Sequence, residues 1–173
     1  MVRALFVGRF QPFHKGHLGA LKSILKECDE VVIAIGSSQD SHELENPFTV
    51  GERIEMIYES IKEAGLAGRC IIVGIPDIKY NALWVKHLKV LSPSFDVVYS
   101  NNPLVKRLFK EENIDVKPLK MVERKELDGT FIRKLIIRRN KRWMELLPPA
   151  AARIAQRIGV EERLREISGD DKV

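Results

Sequence analysis

The sequence predicts an α/β fold: a five-stranded parallel sheet with helices on both faces and a small helical extension at the C-terminal end. Three observations predict it. Short apolar runs alternate with amphipathic stretches along most of the chain. The clearest run, Val31 to Ile35, is β-branched and uniformly apolar, as a strand buried on both faces must be. Each run is separated from the next by a segment long enough for a right-handed crossover helix.

The elements follow in order. Ala4 to Val7 is a strand that stops at Gly8. Gly16 to Glu27 is a helix, with Leu18, Leu21, Ile24 and Leu25 at helical spacing. After the Val31–Ile35 strand comes a polar loop, Gly36 to Phe48. Thr49 and Glu52 have capping-box spacing, and Ile54, Ile57, Tyr58 and Ile61 recur on one face of the helix they open. Cys70 to Val73 is a strand. Asn81 is expected to cap a helix through Leu91, and Val97 to Tyr99 is a strand. Asn102 and Pro103 form an N-cap and N1 pair for a helix through Glu112. Val116 to Leu119 is an edge strand, and Asp128 or Thr130 starts a helix through Arg138. From Trp143 to about Ile167 the chain reads as helical, opened by Pro148 and Pro149 and broken at Gly159. We divide the chain into a core (1–140), a helical extension (141–167) and a polar tail (168–173) of one domain.

Composition bounds the function. At 173 residues, 45% hydrophobic and 31% charged, the chain can bury a core without staples. Its longest apolar run, five residues, is too short to span a bilayer, and the first residues hold no signal-peptide h-region. Two cysteines are no disulfide framework, so the expected compartment is a reducing cytoplasm. A net charge of +5 allows phosphorylated ligands or nucleic acid without choosing between them.

In parallel sheets ligands bind beyond the carboxyl ends of the strands. The first such loop reads Gly8-Arg9-Phe10-Gln11-Pro12-Phe13-His14-Lys15-Gly16-His17. Gly16 permits close backbone approach, and the helix N-terminus presents free amides to a phosphate. His14 just outside the helix and His17 on its first turn can donate hydrogen bonds to phosphate oxygens whose charge grows in a transition state. Arg9 and Lys15 add fixed positive charge. A half-built zinc site is the rival reading of the two histidines, but no Cys or acid lies nearby in sequence. The loop is neither a GxGxxG fingerprint nor a Walker A sequence, which disfavours a dehydrogenase and a P-loop NTPase.

The run Gly8 to His17 resembles the GxFxPxHxGH signature of the HxGH nucleotidylyltransferases, a superfamily of Rossmann-like fold that acts on the α-phosphate of nucleoside triphosphates. Asp128-Gly129-Thr130-Phe131-Ile132-Arg133 resembles its second signature, ISxTxIR. Gly36–Gln39, Asn46–Thr49 with Gly51–Arg53, Asn81–Val85 and Tyr99–Val105 are similar to the archaeal-type nicotinamide mononucleotide (NMN) adenylyltransferase family over about residues 1–165. That resemblance implies transfer of the adenylyl group of ATP to NMN, giving NAD and pyrophosphate. It implies catalytic roles for His17, His14, Arg133 and Arg9. ATP would contact Gly8, Arg9, Phe10, Gln11, His14, Gly16, His17, Asn102, Thr130 and Arg133. NMN would contact Ser37, Ile78, Asn81 and Trp84, with Trp84 stacked on the pyridine ring and Tyr99 to Asn102 flanking the adenine. It further implies Mg²⁺ held mainly by substrate phosphates, no protein metal ligands, no nucleic acid or membrane partner, and a homo-oligomer, commonly a hexamer.

Some alternatives stay open in the residues. Trp84 could be a core aromatic, in a stripe with Leu83, Leu88 and Leu91. Asp128 stands where the family usually has Ser, and would either cap its helix or approach the metal. The basic cluster Arg133, Lys134, Arg138, Arg139, Lys141 and Arg142 could bind RNA, although Ile132, Leu135 and Ile136 make it the solvated remainder of an amphipathic helix. Another phosphorylated acceptor, such as phosphopantetheine, FMN or glycerol phosphate, would keep the first signature.

Overall fold

The computed structural model describes residues 1–120 and 125–169; Met121 to Arg124, within the loop before the second signature, and the last four residues of the expected tail lie outside the described residues. Five parallel strands, β1 (Arg3–Gly8), β2 (Glu30–Ile35), β3 (Cys70–Gly74), β4 (Val97–Tyr99) and β5 (Val116–Lys117), form one sheet in the order β3-β2-β1-β4-β5. The order reverses between β1 and β4, which makes their carboxyl ends the switch point where ligands bind. The fifth strand is shorter than expected, ending at Lys117 rather than Leu119.

Alternating side chains of the central strands go to opposite faces, and both faces are covered. On one, Ala4, Phe6, Val31, Ile33 and Ile35 pack against α1 (Lys15–Glu27) and α2 (Val50–Glu63). On the other, Leu5, Val32, Ala34 and Val98 pack against α3 (Trp84–Leu91) and α4 (Pro103–Glu111). In α2 the buried residues are Arg53, Met56, Ile57, Ser60 and Ile61, whereas Ile54 and Tyr58 face solvent. The helix is therefore rotated by about one position from the stripe read in the sequence, and an arginine takes an apolar-stripe position.

Asn81 does not cap a helix. It begins a single 3-10 turn, Asn81–Leu83, that leads into α3 at Trp84. Leu83 and Leu91 are exposed, so the expected core stripe does not form; Val85 and Leu88 carry the buried face.

The C-terminal part is α5 (Gly129–Ile137), a 3-10 turn (Lys141–Leu146), α6 (Pro149–Arg157) and α7 (Val160–Ser168). Gly159, in the left-handed region at φ 69°, separates α6 from α7. Trp143, Leu147, Ala151, Ile154 and Leu164 from these elements share a core with Phe48, Met56, Ile132 and Ile136. Arg163 on α7 donates to both carboxylate oxygens of Glu52, at 2.7 and 2.9 Å, and to the Pro47 carbonyl at 3.0 Å. Since Glu52 also closes the capping box of α2 on Thr49, the extension braces the loop that borders the site.

Candidate active site

The turn after β1 is held by three constraints. Phe10 has φ 53°, in the left-handed region that non-glycine residues rarely occupy. Its ring folds back over Gly8, where an added Cβ would stand 2.9 Å from the ring, and packs against Phe6 and Phe13. Gln11 is buried and exchanges two 2.9 Å hydrogen bonds with the backbone of Phe48. Its side chain is thus committed to joining two loops, and Gln11 meets the site through its backbone.

His14 is the N-cap of α1. Its Nδ1 accepts from the amides of Gly16 at 3.1 Å and His17 at 3.4 Å, while His17 Nδ1 accepts from the His14 amide at 3.1 Å. The rings stack with centroids 3.6 Å apart. A nitrogen that accepts from an amide carries no proton, so each neutral ring bears its proton on Nε2. Burial pushes His14 down to about 4, against a weaker upward pull from Asp128. Burial, then the neighbouring His14, hold His17 well below the usual histidine range. At neutral pH the pair therefore offers two uncharged N–H donors of fixed tautomer. A Cβ on Gly16 would come within 2.9 Å of the His14 ring, so this stack requires glycine.

From the opposite side, Asp128 caps α5 by accepting from the Phe131 amide at 3.1 Å. The cap is the role the structure gives this residue. Arg133, one turn into α5 and buried, donates to the Gln11 carbonyl at 2.8 Å and to Thr130 Oγ1 at 3.3 Å. Burial lowers its pKa, and Arg9 adds to that. Gly129 makes the reach possible, because its added Cβ would lie 2.9 Å from Arg133 Nη1. Arg9, Phe10, Gln11, His14, His17, Asp128, Thr130 and Arg133 line one cavity of about 270 Å³.

A second cavity, of about 360 Å³, opens beside the first. Ser37, after β2, and Ile78, Asn81 and Trp84, after β3, all line it. Gly8 and Asn102 line it too, and neither lines the first cavity. Asn102 caps α4, with Oδ1 accepting from Leu104 and Val105. Trp84 combines both of its readings: one edge packs on Phe109 at 5.9 Å, and the residue also borders the cavity. Tyr99 points elsewhere, its hydroxyl donating to Glu27 at 2.9 Å behind the sheet. Arg9 is the one residue that lines both cavities among the described residues. Its side chain is half exposed, resting 3.5 Å from Asn46 Oδ1 and 3.9 Å from Glu45.

Two residues that shape this site, Gly129 and Arg53, lie inside quoted motifs but were assigned no role from the sequence. Arg53 is fully buried, and its guanidinium donates to the carbonyls of Arg9 at 2.9 Å, Gly36 at 3.0 Å and Ser37 at 3.1 Å. It thereby fixes the loops after β1 and β2 to each other. Burial pushes it down to about 10. Its position on the stripe shared with Met56, Ile57, Ser60 and Ile61 was the available signal.

The chain is similar to known proteins along its whole length. The Cytidylyltransferase-like family matches residues 5–143. A nicotinamide-nucleotide adenylyltransferase of Methanococcus aeolicus is 45% identical over 170 residues, 98% of this chain and 97% of that protein. One from Archaeoglobus fulgidus is 47% identical over 174 residues, 98% of this chain and 99% of that protein. Among solved structures, a bifunctional NMN adenylyltransferase/ADP ribose pyrophosphatase from Francisella tularensis superposes with a TM-score of 0.76 at 20% identity. That match covers 98% of this chain and 53% of the other, and shows the shared fold. The chain therefore belongs to the Cytidylyltransferase-like family and, within it, to the nicotinamide-nucleotide adenylyltransferases.

Proposed function

We propose that the chain transfers the adenylyl group of ATP to the 5′-phosphate of NMN, giving NAD and pyrophosphate, by direct in-line attack. The observation that carries the reading is the pair of cavities meeting at Arg9, one lined by phosphate donors and one by Trp84 and Asn81. The acceptor phosphate is already an anion, so the protein needs no nucleophile, and catalysis reduces to positioning and charge stabilisation. ATP would lie with its phosphates in the first cavity. There the Nε2–H groups of His14 and His17 donate to phosphate oxygens, and their bonds strengthen as charge develops. Arg133 and Thr130 close from α5. Arg9 would neutralise the two phosphates that approach each other at the junction. In the second cavity Trp84 would stack on the cationic pyridinium.

The donor set does not fit a resident metal ion. Among the described residues Asp128 is the one carboxylate lining the first cavity, and its Oδ2 is spent on the cap. Mg²⁺ would accordingly arrive as part of the substrate, carried by the phosphates of ATP and by water. We also propose a cytoplasmic location, which suits two unpaired cysteines, no nucleic-acid role for the basic face of α5, and a homo-oligomer, a hexamer by family resemblance.

The test is pyrophosphate release from Mg·ATP with NMN, phosphopantetheine, FMN and glycerol 3-phosphate in parallel. Release with NMN and not with the other three is expected, with NAD confirmed by alcohol dehydrogenase. Release with one of the other acceptors alone would return Trp84 to a purely structural role.

A further inference from the structure

The second cavity is electrically asymmetric. Arg9 and Asp77 are the charged side chains that line it among the described residues. Arg9 follows β1, and Asp77 follows β3, two strands away in the sheet, or roughly 10 Å. Asp77 shares its end with Ile78, Asn81 and Trp84. Its carboxylate does not swing freely. Gln39 Nε2 donates to Asp77 Oδ2 at 3.0 Å, and the Asp77 amide donates to Gln39 Oε1 at 2.9 Å. The backbone amide can only donate, so it fixes which way the Gln39 amide faces, and that in turn presents an N–H to the carboxylate. The pair also bridges the loops after β2 and β3, and Oδ1 remains to accept from a ligand.

We propose that Asp77 determines specificity at the pyridine ring, selecting a mononucleotide with a neutral carboxamide over one with a carboxylate. The inference rests on the adenylyl-transfer reading above. With the acceptor phosphate at Arg9, the ring and its substituent fall at the Asp77 end. The pyridinium is cationic in both mononucleotides, so its attraction to Asp77 does not discriminate. The substituent does. A carboxamide N–H can donate to Asp77, whereas a carboxylate has no proton to offer and carries like charge. Specificity is a difference of affinities, and a fixed charge that repels the wrong ligand supplies it.

The experiment compares kcat/KM for NMN and nicotinic acid mononucleotide in the wild-type chain and in Asp77→Asn. Wild type is expected to prefer NMN by at least tenfold. Asp77→Asn is expected to shrink that ratio at least tenfold, with nicotinic acid mononucleotide gaining through KM. An unchanged ratio, or a wild type that uses both equally, overturns the proposal. Should the variant fail to fold, direct binding of both mononucleotides to wild type at 50 mM and 500 mM salt decides. Screening should raise the relative affinity of the acid form at high salt, and a salt-independent preference overturns the proposal. Failure of wild type to release pyrophosphate with either mononucleotide is a different result, which sinks the adenylyl-transfer reading as well.

Discussion

The two cavities that meet at Arg9 are built by opposite means. The first is over-determined: His14 is buried and stacked, Arg133 is buried, and Gly16 and Gly129 each sit where a Cβ would strike a ring or a guanidinium. The second takes more of its lining from exposed side chains, Arg9, Asp77, Asn81, Asn102 and Leu104, set among half-buried neighbours such as Ser37, Ile78 and Trp84. Charge stabilisation requires fixed donors, whereas choice of acceptor can be carried by loop side chains that change without disturbing the core. Variants in the two regions should accordingly fail in different ways.

The largest effect is expected at His17. His17→Ala should lower turnover by about a thousandfold, as loss of an electrostatic donor does. Its lost share of the reciprocal cap should cost only about 1 kcal/mol in stability. Turnover within tenfold of wild type in a single-turnover assay would remove His17 from the transition state. Gly129→Ala should displace Arg133 and cut kcat about a hundredfold while far-UV circular dichroism stays unchanged; near-normal kcat would show that Arg133 can shift without loss.

Acid separates the regions as well. The cradle histidines are held neutral in the folded chain and protonate freely when unfolded. Their contribution is therefore fully present above the unfolded value near 6.5. It is lost as pH falls from there toward the folded value of His14, about 4. That shift corresponds to on the order of 3 kcal/mol, so urea midpoints should drop between pH 6.5 and 4. His14→Gln should flatten the drop, and an equal drop in that variant would place the acid sensitivity elsewhere.

On the acceptor side, Trp84→Ala should raise the KM for NMN about tenfold and leave the KM for ATP nearly unchanged. Equal rises in both would erase the distinction between the cavities. The smallest effect is expected at Asp128→Ser, because serine also caps. Activity should stay within a few fold, and a hundredfold loss would give the carboxylate a role beyond the cap.

Local features were legible in the sequence. The β-branched runs, His14 beside α1 and Asp128 before α5 are each written in a few adjacent residues, and their geometry follows from capping and burial. What escaped depends on contacts between distant segments. Arg53 satisfies carbonyls contributed by two other loops, and no single window of sequence contains both the donor and its acceptors. Gly129 matters because Arg133 crosses it to reach the Gln11 carbonyl, an acceptor that lies in the loop after β1, far away in the sequence. The Leu83–Leu91 stripe was only half right: Leu88 is buried, but Leu83 falls in the 3-10 turn ahead of α3 and Leu91 is the exposed last residue of the helix.

The fixed tautomers of the histidine pair have a consequence for metal poisoning. Neutral imidazole binds zinc or copper through a bare nitrogen. In this chain each bare nitrogen, Nδ1, is occupied by backbone amides, and the other nitrogen carries the proton. Moving that proton to Nδ1 would drive it into an N–H and dismantle the first turn of α1. Two histidines three residues apart thus remain a poor trap for thiophilic and nitrogen-seeking metals.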